Sequence, residues 1–127
     1  MLDVKRSIAA LAALLAAGVL LLALAPAPVQ AAGKNLDDFA KCLAAKPVTM
    51  YGTFWCPHCY EQKQLFGTSF RYVKYVECGI KGTHQITNQC KAMGLSRTPT
   101  WVFPDGTRLE GTQPLEKLAQ QSGCKLP

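Results

Sequence analysis

The 127-residue chain is short of several things, and each shortage closes off a class of function. It has two histidines, one Cys-X-X-Cys and no second such pair, so a structural zinc site of the usual four-ligand kind has too few ligands in pattern. After residue 31 its 12 Lys and Arg against 7 Asp and Glu are scattered, with no basic run and no interleaved aromatics. That distribution lacks the charged, stacking surface by which nucleic acid is gripped, and reads as a solvated basic face. No internal repeat and no Gly/Ser/Pro-rich linker divides the chain, so beyond its N-terminus it is long enough for one small domain.

Cysteine, by contrast, is plentiful. All six cysteines fall between residues 42 and 124. In an exported chain that density reads as disulfides, in a cytosolic one as metal or catalysis, so compartment decides the reading. Lys5 and Arg6 precede 18 uncharged residues, 8–25, rich in Leu and Ala. Pro26, Ala27, Pro28, Val29, Gln30 and Ala31 follow, with Val29 and Ala31 placed for signal-peptidase cleavage before Ala32. Residues 1–31 are therefore expected to be a signal peptide or a retained N-terminal membrane anchor, and 32–127 the folded domain. Either alternative exports the domain across the membrane. No Cys follows the apolar run, so a lipoprotein anchor is not supported.

Along 32–127, Asn35 can cap a helix in which Leu36, Phe39, Ala40 and Leu43 recur at helical spacing, stopped by Lys46 and Pro47. Residues 48–55 read as a buried strand, Pro57–Phe66 as a helix ended by Gly67, and 71–77 as a second strand. A helix is expected over 83–93, capped by Thr83, then strands over 100–103 and 107–110 around a Pro-Asp-Gly turn, and a last helix over 114–122. The order α-β-α-β-α-β-β-α predicts an α/β fold, one mixed sheet flanked by helices.

The chemistry concentrates at Cys56-Pro57-His58-Cys59. A strand delivers Cys56 to a helix N-terminus, with Pro57 suited to the first helical position. Unpaired helix N–H groups and the helix dipole favour a thiolate there, and the thiolate is the nucleophile. His58 can add charge or a donor. Cys59, one turn deeper, is placed to resolve a mixed disulfide. A tight structural disulfide and half a soft-metal site are the competing readings of the same four residues.

Phe54-Trp55-Cys56-Pro57-His58-Cys59, followed by Arg97-Thr98-Pro99-Thr100, resembles the thioredoxin superfamily, over residues 35–124. The resemblance implies a single thioredoxin-like domain. It implies that Pro99 is a cis-proline facing the motif, and that the backbone of Thr98 pairs with the substrate chain. Trp55 is then a packing wall over the disulfide that helps receive substrate. The stretch from Met50 to Cys59, with Gln62-Lys63-Gln64-Leu65-Phe66-Gly67 and Tyr75-Val76-Glu77-Cys78, is similar to the thioredoxin-like domain fused to or paired with vitamin K epoxide reductase homologues. That likeness implies a thiol–disulfide oxidoreductase acting on cysteines of exported proteins in a periplasm or thylakoid-type lumen. A quinone-linked membrane oxidoreductase of vitamin K epoxide reductase type would reoxidise it. No cofactor, metal or nucleic acid is called for, and the domain is expected to be a monomer. Disulfide reduction or isomerisation, and a non-catalytic binding module or metal chaperone, stand as alternatives.

The resemblance also implies a second disulfide, Cys78–Cys90, either a staple or a second redox pair. Elimination then leaves Cys42 and Cys124 to tie the ends of the domain together, with a free or intermolecular thiol as the other possibility for each. One departure from the family is plain. Many thioredoxins carry a buried acid six residues before the first motif cysteine, and here that residue is Met50. Deprotonation of Cys59 must use water or another group, with Glu61 and Glu77 as candidates.

Overall fold

The computed structural model describes residues 35–127. The signal or anchor expected over 1–31 lies outside the described residues. Helix α1, Asp37–Ala45, has Leu36 and not the expected Asn35 at its N-cap; Asn35 stands one residue earlier, its side chain accepting from the Asp37 N–H at 2.9 Å. Asp37 and Asp38 in its first turn suit the positive end of the helix dipole. Its apolar positions Phe39, Ala40 and Leu43 are fully buried.

Strand β1, Thr49–Gly52, is shorter than the expected 48–55. The reason is Pro57. The residue before a proline is held extended, and the Cys56 N–H turns back to the Thr53 carbonyl at 3.1 Å, so 53–55 form a turn and not a ladder. Helix α2, Pro57–Phe66, then runs as expected, closed by Gly67 at φ 55°. Residues 71–72, expected to open a strand, instead finish a 3-10 helix, Gly67–Tyr72. Asp37 holds that segment back, accepting from Ser69 at 2.6 Å and from Arg71 at 3.3 Å. Strand β2, Lys74–Glu77, follows.

The expected helix over 83–93 is reduced to α3, Asn88–Ala92, and its cap is Thr87, not Thr83. Residues 79–87 double back as a turn, with an antiparallel bridge between Gly79 and Ile86 and a bond from the Thr87 N–H to the Cys78 carbonyl at 2.8 Å. Thr83 spends its hydroxyl inside that turn, on Ile80 and Gln85. Strands β3, Thr100–Val102, and β4, Arg108–Glu110, form the expected hairpin, and α4, Leu115–Ser122, closes the chain before Gly123.

The sheet order is β2-β1-β3-β4, with β1 and β2 parallel and the other pairs antiparallel. This mixed sheet with its helices fits a thioredoxin-like fold. Register puts Tyr75, Met50, Trp101 and Leu109 in one row across the sheet. All four belong to, or pack on, the main core, together with Phe39 and Phe66, whose rings stack at 5.9 Å. Gln62 of α2 is fully buried yet satisfied. It accepts from Trp101 Nε1 at 3.2 Å and from the Gln113 N–H at 2.6 Å, and donates to the Gln113 carbonyl at 3.1 Å. The helix that carries the two motif cysteines is thereby pinned to the sheet, since stranding any of these partners would cost about 1–3 kcal/mol. Among the described residues no helix is long and apolar enough to cross a membrane.

Candidate active site

Cys56 is the N-cap of α2, and its sulfur accepts from the Cys59 N–H at 3.2 Å. Pro57 occupies the first helical turn, where the missing N–H is no loss. On its other side the Cys56 thiol donates to the Thr98 carbonyl at 3.2 Å. The peptide bond from Thr98 to Pro99 is cis. The turn before α2 and the loop before β3 thus meet at one sulfur. Cys56 and Cys59 are both free thiols and both buried.

Their acidities diverge. Burial pushes the Cys56 thiol up, but hydrogen bonds from the Cys59 and Thr98 side chains and from the Cys59 and His58 backbone outweigh it, so Cys56 ionises below an ordinary thiol. Burial, reinforced by the hydrogen bond to Cys56, pushes Cys59 up to about 12. The thiolate, the reactive form of a cysteine, therefore forms more readily at Cys56 than at Cys59. The same difference makes stability depend on pH. A thiol whose ionisation folding opposes contributes stability that is complete below its ordinary value of 9.0 and lost as pH rises toward about 12. The lowered thiol acts in the opposite sense, its contribution being lost only as pH falls through the depressed value. The reduced protein is therefore expected to lose stability relative to the oxidised protein between pH 9 and 12. Denaturant midpoints of both forms at pH 8 and pH 11 check this, and an unchanged difference would contradict it.

His58 is exposed, with Nδ1 2.9 Å from Glu61 Oε2. That contact, with a bond from the Thr112 hydroxyl, holds the Glu61 carboxyl below its usual range. Trp55 is half-buried, packed edge-on against Phe54 at 4.8 Å between ring centroids and against His84 at 5.3 Å. His84, within the stretch 83–93 expected to be a helix, is exposed and lies in the 79–87 turn. Trp55 and Thr98 share a cleft of about 160 Å³ with Thr53, Ile86, Cys78 and Cys90. Cys78–Cys90 is closed, and both residues are buried. Cys42–Cys124 is closed as well, joining α1 to the segment after α4. Among the described residues no group of three or more His, Cys, Asp or Glu could hold a metal ion.

Three residues around the motif were not singled out as site residues by the sequence reading. A side chain on Gly52 would bring its Cβ within 2.9 Å of Cys59 Sγ and 3.0 Å of the Tyr75 ring. One on Gly79 would meet Glu77 and Trp55 at 2.7 Å. Both glycines permit close approach, a role that a lone Gly at a strand end does not announce. Tyr75 donates to Glu77 Oε2 at 2.8 Å, while Glu77 Oε1 accepts from the Phe54 and Gly79 N–H groups at 3.1 and 2.7 Å. Glu77, raised above as a proton acceptor, thus also holds the turn that leads into the motif.

No protein-family model matches the chain. Thiol-disulfide oxidoreductase LTO1 from Arabidopsis thaliana is 38% identical over 91 residues, which cover 68% of this chain and 24% of that protein. The match thus spans about a quarter of the relative's length. Similarity to a protein so named supports a redox function, and the two free thiols at a helix N-terminus are the groups through which this chain would exert it.

Proposed function

We propose that this chain is an exported thiol–disulfide oxidoreductase that oxidises cysteines of other exported proteins. The observation that carries the reading is the placement of the pair, with Cys56 capping the N-terminus of α2 and accepting from the Cys59 N–H, and Cys59 buried behind it. A substrate thiolate attacks Cys56 of the oxidised pair, Cys59 leaves, and a second substrate thiol displaces Cys56. The substrate gains a disulfide and the pair becomes a dithiol. Favouring the Cys56 thiolate stabilises the reduced form and so raises the oxidising power of the disulfide. His58 adjusts that balance, its ring shared with Glu61. The Thr98-Pro99 backbone and Trp55 receive the substrate chain. A membrane oxidoreductase of vitamin K epoxide reductase type, linked to quinone, is the proposed electron acceptor, on the strength of the sequence likeness described above. Full burial of Cys78 and Cys90 favours a staple over an exchanging pair.

The reduction potential of the Cys56/Cys59 pair tests the direction. Equilibration in glutathione buffers with trapping of free thiols is expected to give roughly −120 to −180 mV, the range of oxidases and isomerases. A value near −270 mV, about that of thioredoxin, would make the protein a reductant. A pair that does not cycle would remove the enzyme reading.

A further inference from the structure

The exchange just proposed needs a proton route at Cys59, because that sulfur must gain a proton when it leaves a disulfide and lose one when it attacks. The strand beneath it offers no carboxylate. Met50 is fully buried, and Gly52 lies against the sulfur. In register beside Met50 on β2 stands Tyr75, and beside Gly52 stands Glu77. The point a Cβ on Gly52 would occupy is 2.9 Å from Cys59 Sγ and 3.2 Å from Tyr75 Oη, so sulfur and phenol flank one small gap that only glycine leaves open. The phenol donates to Glu77 Oε2 at 2.8 Å, and Glu77 is exposed. Glu61 does not compete for this role. Its carboxylate is occupied by His58 and Thr112.

We propose that Tyr75 and Glu77 form a proton relay between Cys59 and solvent. When Cys59 resolves a mixed disulfide on Cys56, its thiol proton passes across the Gly52 gap, directly or through one water, to Tyr75 Oη. Tyr75 hands its own proton to Glu77. The Cys59 thiolate forms the bond to Cys56 Sγ, and the bond from Cys56 to the partner sulfur breaks. The partner leaves as a thiolate, reduced by the two electrons that the pair loses, and Glu77 releases its proton to water. When the disulfide is attacked instead, the same route runs backward and delivers a proton to Cys59. Tyr75 never carries a lasting charge, which suits a phenol pushed upward by burial and by Glu77. The ionisable groups around it are Glu77 on its own strand, Lys63 of α2 with Nζ 4.0 Å from its ring centroid, and the two motif cysteines. Lys63 sits on the ring face and not on the hydroxyl.

The relay rests on the exchange function, and one experiment separates the two. The full-length reduced chain is mixed with 5,5′-dithiobis(2-nitrobenzoate), which releases one coloured thiolate when Cys56 attacks and a second when Cys59 resolves. In Tyr75→Phe the second phase is expected to slow about 10–100-fold at pH 7, with the first phase unchanged and the deficit shrinking as pH rises. Glu77→Gln, whose amide oxygen can still accept from Phe54 and Gly79, is expected to slow the same phase. Equal second phases, a deficit independent of pH, or a loss shared by both phases overturns the relay. A wild-type chain with no second phase defeats the exchange function and the relay together.

Discussion

Cys56→Ser is expected to abolish thiol–disulfide exchange, while Cys59→Ser stops it halfway. The two thiols differ in what surrounds them. Cys56 lies at the helix N-terminus with the Cys59 N–H aimed at its sulfur, and ionises more readily than an ordinary thiol. A serine there has no accessible alkoxide and forms no disulfide, so turnover should fall by on the order of 10³-fold or more, as when other covalent nucleophiles are removed. Cys59→Ser keeps the attacking sulfur and loses the resolving one. It should accumulate a stable mixed disulfide between Cys56 and a substrate, visible as a mass shift on the intact protein and reversed by dithiothreitol. The serine hydroxyl and the backbone N–H of residue 59 can still donate to the Cys56 sulfur, so alkylation of Cys56 should persist. Exchange that survives Cys56→Ser would place the nucleophile elsewhere, with the cleft-lining Cys78–Cys90 pair the first to examine.

Much of this site could be read in the chain because its parts are local. A cysteine, a proline and a second cysteine within one helical turn state both the helix start and the sulfur that caps it. The Asn35 side chain and the apolar spacing after it mark α1 for the same reason. The errors come where distant contacts choose between local options. Thr83 and Thr87 are both adequate caps. The bridge from Gly79 to Ile86 and the Cys78–Cys90 bond settle the matter in favour of Thr87. Residues 71–72 have the composition of a strand, yet Asp37, more than 30 positions earlier, holds them in a 3-10 turn. The Tyr75–Glu77 pair beside Cys59 depends on the register of β2 against β1, and no periodicity along one strand reports the register with its neighbour.

Loss of the Cys42–Cys124 disulfide is expected to be the most destabilising change outside the motif. The bond closes a loop of 82 residues, and the chain-entropy estimate for a loop of that length is about 4–5 kcal/mol. A domain of this size is stabilised by only about 5–15 kcal/mol in all. The double variant Cys42→Ala with Cys124→Ala should therefore melt roughly 20–35 °C lower, reckoned at the usual change per kcal/mol for small domains. Two further contacts soften the loss without replacing the bond. Lys46 Nζ donates to the Ser122 carbonyl at 2.7 Å, and Leu118 remains buried in the core. The Cys78–Cys90 bond spans 12 residues and should contribute less, about 3 kcal/mol. Thermal melts of the two double variants, read beside the wild type, test the order. If removing the shorter bridge costs more, loop entropy is not what these bonds supply, and the 78–90 segment has a structural role of its own. If the order holds, the fold leans on a bond that survives only where thiols are kept oxidised. A domain with that dependence has a physical reason to work outside the reducing cytosol, which gives the proposed export a cause in the energetics of the fold.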